Sequence, residues 1–210
     1  MTLEEAIAKI KPLDHNAMEI AQKRWDSIAK PLHSLGKLET LLIQIAGITG
    51  NAEVDLSRRG LIVMCADNGV VEEGVTQTGQ EVTAIVAENF LKYDTSVGVM
   101  CKQNHAEIFP VDMGMVTDTK VRTDHKIAYG TQNMTKGPAM TREQAVKGLE
   151  AGIDMVRELN DKGYRILATG EMGIGNTTTS SAVASVLLKQ PVEEMTGRGA
   201  GLTSEGLVRK

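Results

Sequence analysis

The stretch Gly60-Leu61-Ile62-Val63-Met64-Cys65-Ala66, closed by Asp67-Asn68-Gly69, decides how this chain folds. It is short, continuous, apolar and rich in branched side chains, which suits a strand buried on both faces of a parallel sheet. Downstream, Thr78-Gly79-Gln80-Glu81 reads as a capping box opening a helix that carries Val82, Ile85, Val86 and Phe90. Ala106 to Val111 reads as a second strand; Thr141-Arg142-Glu143-Gln144 caps a helix with Val146, Leu149, Ile153 and Val156, which Gly163 stops. Tyr164 to Thr169 is the third strand, and the glycine-rich segment Gly170 to Thr179 turns into a helix over Ser180 to Lys189. Residues 112–140 show neither period and read as irregular connections with room for a hairpin. Upstream, Leu38, Leu41, Leu42, Ile45 and Ile48 fall at helical spacing. Strands alternating with helices predict an α/β chain: a parallel-sheet, Rossmann-like three-layer core over 37–210, preceded by an N-terminal helical segment over 1–36.

Composition narrows the function classes. The 210 residues include 23 Lys and Arg against 27 Asp and Glu, a formal charge of −4, with few aromatics. Nucleic-acid binding normally needs a basic stripe and stacking rings, so it is not expected. No apolar run approaches a bilayer span, and the acidic start Met1-Thr2-Leu3-Glu4-Glu5 lacks the pattern of a signal peptide, so a cytoplasmic protein without membrane contact is expected. Cys65 lies inside an apolar run and far from Cys101, so both read as reduced core thiols. His15, His33, His105 and His125 are isolated, with no metal-ligand spacing, and no metal or other cofactor is expected.

Ligands of open parallel sheets sit at the carboxyl ends of the strands, where both Asp67-Asn68-Gly69 and Gly170 to Thr179 fall. In Gly170-Glu171-Met172-Gly173-Ile174-Gly175-Asn176-Thr177-Thr178-Thr179 a glycine-rich turn would aim backbone N–H groups and the positive end of a helix at one point, a place for an anion. Asn176 stands where a P-loop has its lysine, and the third glycine of a dinucleotide fingerprint is missing, so a monophosphate is the remaining candidate. An ordinary tight turn capped by threonine explains the same letters. A second cluster, Gly197-Arg198-Gly199-Ala200-Gly201 with Arg209-Lys210 beyond it, also suits phosphate, although a solvated loop would read alike. Asp67, with Glu72 and Glu73 after it, offers carboxylates for proton transfer or ribose hydroxyls, or is simply a tight turn with solvated acids.

Taken in order, Arg24-Trp25-Asp26, Lys30-Pro31, Ser34-Leu35-Gly36-Lys37-Leu38-Glu39, Ala66-Asp67-Asn68-Gly69-Val70, Glu81-Val82-Thr83-Ala84, Gly130-Thr131, Gly137-Pro138-Ala139-Met140-Thr141, Gly170 to Thr178 and Gly197 to Leu202 carry a resemblance. The chain from Arg24 to Lys210 resembles the nicotinate-nucleotide:dimethylbenzimidazole phosphoribosyltransferases of cobalamin biosynthesis, with His33 standing where that family usually has glycine. The resemblance implies transfer of the phosphoribosyl group of nicotinate mononucleotide to 5,6-dimethylbenzimidazole or a related base. It further implies α-ribazole phosphate and nicotinate as products, no part for a metal, and a homodimer. Glu171 resembles the family's acid at the nucleotide site, Gly173 a backbone contact, and Gly199 and Lys210 contacts around the phosphate. Gln80 matches a residue lining the benzimidazole pocket. Gly175, Asn176, Thr177 and Thr178 join the expected substrate-binding set on helix-terminus physics, and Asp67 on its place at a strand end.

Full-length members continue well past the position of Lys210, and their principal catalytic glutamate lies in that later part. The 210 residues are therefore expected to be a fragment or short form with exposed apolar surface and weak or no turnover alone. A non-catalytic nucleotide-binding or oligomerisation module of the same fold is the alternative. Another enzyme of phosphorylated small molecules, such as a kinase, is a more distant one.

Overall fold

The chain opens with three helices, α1 (Leu3–Ala8), α2 (His15–Ser27) and α3 (Lys37–Thr49), in the computed structural model, which describes residues 1–210. Thr2 caps α1 and Asp14 caps α2 by accepting from the Glu5 and Ala17 amides, donors that a helix start otherwise leaves unpaired. α3 ends at Gly50, whose φ of +66° suits the left-handed closing position. Small residues let α2 and α3 approach: Ala17, Ala21, Ala46 and Gly47 are buried, and a Cβ at Gly47 would stand 2.7 Å from the Met18 side chain. Because α3 spends this face on α2, it groups with the amino-terminal helices. That compact unit ends at Ser57, rather than after Gly36 as the sequence reading placed it.

The turn between α2 and α3 is fixed by a buried carboxylate. Glu39 is 2% exposed, accepts the Leu35 N–H at 3.0 Å and pairs with Lys30 Nζ at 2.8 Å. The Lys30 ammonium lies 5.8 Å from the Trp25 ring centroid, within cation–π range.

Arg58–Lys210 forms the second unit. Its frame is an all-parallel sheet in the order β2-β1-β3, made of β1 (Arg59–Ala66), β2 (Ala106–Gly114) and β3 (Ile166–Met172). Helices α4 (Glu81–Lys92) and α5 (Ser96–Gln103) connect β1 to β2; α6 (Arg142–Asp161) connects β2 to β3; α7 (Asn176–Leu188), α8 (Val192–Met195) and α9 (Ser204–Arg209) follow. Alternate β1 residues face opposite layers. Leu61, Val63 and Cys65 pack with Ala84, Ala87 and Phe90 of α4 and Cys101 of α5, whereas Ile62 packs with Met155 and Leu159 of α6. Parallel crossovers share one hand, so a chain that winds first to one side of β1 and then to the other must use opposite faces of the sheet. The result is the expected three-layer α/β core, with its winding reversed between β1 and β3.

Several boundaries differ from the sequence reading. β3 runs from Ile166 to Met172, because Tyr164 is buried against α6 with its ring edge-on to Phe109 at 5.1 Å. α7 starts at Asn176, not Ser180. No capping box forms over 78–81: Gln80 is the N-cap and makes no side-chain cap bond, its amide being used on the Asn68 carbonyl. α5, capped by Thr95, was not anticipated. β2 continues to Gly114, and no hairpin follows; a single parallel bridge joins Val111 to Arg122. Cys65 and Cys101 are buried free thiols, and burial pushes Cys65 up to about 12. No helix is long and apolar enough to cross a membrane. Val183, Val186, Leu187 and Leu188 of α7 are all largely exposed.

The Lys30 ion pair holds the Glu39 carboxyl below its ordinary pKa of 4.5. A depressed carboxyl contributes stability that is present above the unfolded value and lost as pH falls through the folded one. Trp25 is the only tryptophan, so its fluorescence reports this unit alone. Urea midpoints followed at Trp25 should fall as pH drops below about 4.5, and Glu39→Gln should be less stable at pH 7 and lose less on acidification.

Candidate functional site

β1 ends in the turn Asp67-Asn68-Gly69, and β3 ends in Gly173-Ile174-Gly175, which opens α7. The two turns lie side by side because β1 and β3 stay in parallel register through Cys65 and Met172. A Cβ at Gly173 would meet the Ala66 carbonyl at 2.2 Å, and Gly175 has φ +90°, so both positions of the corner demand glycine. Ile174 between them is held from two sides. Its N–H donates to Thr83 Oγ1 at 3.0 Å, and its carbonyl accepts from Asn68 Nδ2 at 3.1 Å. Asn68 Oδ1 also accepts from the Thr179 hydroxyl at 3.2 Å, tying the end of β1 to the first turn of α7.

Beside this corner lies a cavity of about 200 Å³ lined by the 75–78 loop, Met172 to Thr177, Arg198, Ala200, Leu202 and Lys210. Lys210 Nζ donates to Thr177 Oγ1 at 2.8 Å and to the Gly197 carbonyl at 3.1 Å, and burial lowers its pKa. Gly199, with φ +57°, lets the loop pass so close that a Cβ there would stand 2.6 Å from Thr177 Oγ1. Arg198 holds this loop by donating to the Leu202 carbonyl at 2.8 Å and Ser204 Oγ at 3.1 Å, and Gln77 Nε2 donates to Gly201 at 2.7 Å. Of the amides that open α7, those of Asn176, Thr178 and Thr179 close on the Gly173 and Gly175 carbonyls. The Thr177 N–H is the one such donor outside these bonds, at the positive end of the helix.

The structure thus brings Gly173, Gly175, Asn176, Thr177 and Lys210 to one cavity, with Gly199 packed behind it. Glu171 stands just outside, its carboxylate accepting from Asn176 Nδ2. Surrounding protein withdraws that carboxyl from water and raises its pKa above 4.5, an effect the Asn176 bond opposes. Three expected residues are elsewhere. Asp67 is fully buried, and its Oδ2 accepts from the Val116 N–H at 2.8 Å. Gln80 braces the Asn68 carbonyl and does not line the cavity. Thr178 is 6% exposed and points away from the cavity lining. Glu72 and Glu73 are tied to Lys136 and to Asn133 and Thr135, binding the turn to the following loop.

Sequence reasoning singled out neither Asn68 nor Thr83 as a site residue. Asn68 carried a signal, an amide at the carboxyl end of the central strand; Thr83, on the inner face of α4, carried none. A second, apolar cavity of about 250 Å³ is lined by Gly114, Gly130, Thr131, Ala139 and Met140, among others, and holds no titratable side chain. No cluster of His, Cys, Asp or Glu has the makings of a metal site.

A doubly wound α/β domain with a cavity at the reversal of its winding belongs to the broad class of open-sheet folds that take ligands at the carboxyl ends of their strands. Comparison with known proteins sharpens this: the model of a phosphoribosyltransferase family matches residues 10–210. The chain belongs to the nicotinate-nucleotide:dimethylbenzimidazole phosphoribosyltransferase family. It is 51% identical over its whole length to the nicotinate-nucleotide–dimethylbenzimidazole phosphoribosyltransferase of Ruminiclostridium cellulolyticum, covering 60% of that protein. It is 47% identical over 99% of its length to the Clostridium tetani protein of the same name, covering 58% of it. The crystal structure of CobT from Thermus thermophilus superposes with a TM-score of 0.84 at 36% identity, over 92% of this chain and 59% of that one. The chain therefore spans about 60% of the length of the relatives it matches.

The corner should tolerate no side chain. Gly173→Ala must push Ala66 and Ile174 apart, and forcing atoms into a packed place typically costs about 1–3 kcal/mol. Urea denaturation followed by far-ultraviolet circular dichroism would measure the loss.

Proposed function

We propose that this chain forms the nucleotide-holding part of an enzyme that moves the phosphoribosyl group of nicotinate mononucleotide onto 5,6-dimethylbenzimidazole or a related aromatic base. The observation that carries the reading is the meeting of Lys210, Thr177 and the start of α7 in one cavity, with Glu171 at its edge. Two of the three N–H donors on Lys210 Nζ are spent on Thr177 and Gly197, which leaves one for a phosphate oxygen. The Thr177 N–H supplies a second donor from the helix end. Gly173 and Gly175 line the cavity with their main chain, and the ribose is placed against it, near the Glu171 carboxylate.

In the reaction, the bond from ribose C1′ to the pyridine nitrogen breaks and its electron pair leaves with nicotinate. The unprotonated nitrogen of the incoming base forms the new bond from the opposite face, which inverts the anomeric carbon. Positive charge develops on the ribosyl group and then on the attached base, and the other ring nitrogen must release its proton. Glu171 meets both demands: an ionised carboxylate stabilises the cation, and a carboxylate whose pKa is raised accepts a proton more readily near neutrality. The cytoplasmic homodimer implied by the family resemblance belongs to the same proposal.

Calorimetric titration with nicotinate mononucleotide should show one site. Lys210→Ala should weaken it by about 1–3 kcal/mol, roughly 5- to 150-fold, the loss expected when a charge-assisted donor is removed. With dimethylbenzimidazole added, α-ribazole phosphate is the product to detect, in this chain and in a longer homologue. Glu171→Gln should reduce its formation more than it reduces nucleotide affinity. Its pH profile should lose the limb that rises above pH 4.5 in the unsubstituted protein. Nucleotide binding with no product in either protein would favour a non-catalytic module, and absence of binding would overturn the proposal.

A further inference from the structure

The residues that shape the corner without reaching the cavity form a continuous hydrogen-bonded chain. Thr83 is fully buried on α4, and its hydroxyl has one proton to give and lone pairs to accept with. The Asp67 carboxylate beneath it is also fully buried and, when ionised, can only accept. On the other side, Thr83 Oγ1 accepts from the Ile174 N–H at 3.0 Å. Asp67 is itself anchored, its Oδ2 accepting from the Val116 N–H at 2.8 Å and its main-chain N–H donating to the Gly114 carbonyl at 2.9 Å. On the far side of Ile174, the Asn68 amide holds the carbonyl, and Gln80 holds the Asn68 main chain at 3.1 Å. The middle residue of the Gly173-Ile174-Gly175 corner thus has its N–H fixed by α4 and its carbonyl fixed by the end of β1.

We infer that Thr83 is a positioning residue that sets the glycine corner, and with it the first turn of α7, at the height a phosphorylated ligand requires. The inference rests on the nucleotide reading for its ligand but not for its geometry. The glycines on both sides of Ile174 carry no side chains to anchor the corner, so the clamp on the Ile174 N–H, with Asn68 on its carbonyl, governs where the Thr177 amide points. Thr83→Val keeps the shape and removes the acceptor. Thr83→Ser keeps the acceptor and removes the methyl group.

The test uses the 210-residue chain, with nicotinate mononucleotide as the calorimetric probe and amide hydrogen exchange as the independent readout. In the unsubstituted protein the Ile174 amide should be protected from exchange. In Thr83→Val that protection should be lost while the β1 amides keep theirs, and nucleotide affinity should fall at least about tenfold. Thr83→Ser should retain both within about threefold. An Ile174 amide in the unsubstituted protein that exchanges as fast as an open peptide would overturn the inference, with no variant needed. So would a folded Thr83→Val with unchanged protection, or a Thr83→Ser variant as impaired as Thr83→Val. If the unsubstituted chain binds no nucleotide, the functional reading fails, and the exchange data still decide the clamp. A Thr83→Val chain that does not fold leaves the decision to Thr83→Ser and the unsubstituted protein.

Discussion

β1 is hydrogen-bonded along both edges and covered on both faces, and the site takes its shape from that confinement. The chain winds from β1 to one side and returns to the other, so the turns after β1 and β3 emerge next to each other with nothing threaded between them. They meet so closely that the Ala66 carbonyl occupies the space a side chain at residue 173 would need. The glycine corner is therefore a packing requirement of the sheet before it is a feature of any ligand site.

Buried polar groups hold this geometry. An unpaired carboxylate in the interior is costly, so each buried acid must find donors. Asp112 accepts the Gly114 and Met115 amides at 2.9 and 2.7 Å and faces Lys126 Nζ at 3.1 Å, while Asp67 accepts the Val116 amide at 2.8 Å. Burial raises Asp67 above the ordinary carboxylate range, and Asp112 nearby adds to that effect. These acids fasten the carboxyl ends of β1 and β2 to the loop beyond them. Glu171, at the cavity edge, is tied to none of these loops and accepts only from the neighbouring Asn176 amide. α7 shows a parallel division: its first turn is fixed by Asn68 and Lys210, whereas much of its later flank lies open.

The fold class was legible because the run 60–66 is uniformly apolar and glycine or threonine caps punctuate the helices around it. The Thr141 capping box formed as read, since both partners lie within four residues of each other. The box read at Thr78 did not form, because the helix begins at Glu81 with Gln80 as its N-cap, which leaves Thr78 outside the capping position. The grouping of α3 with α2 was missed for a related reason: its apolar stripe names a buried face but not the element that buries it.

The sequence by itself determined the order of the three strands and the main helices between them, the two glycine clusters, and an acid and a basic residue near them. These follow from local propensity and from residue types that few other structures would need. Tertiary structure alone decided that Lys210 sits on Thr177, that Asp67 turns inward, and that Thr83 and Asn68 grip Ile174. Those contacts join residues 33, 91 and 106 positions apart, and their direction depends on strand register and helix rotation, which no local pattern encodes.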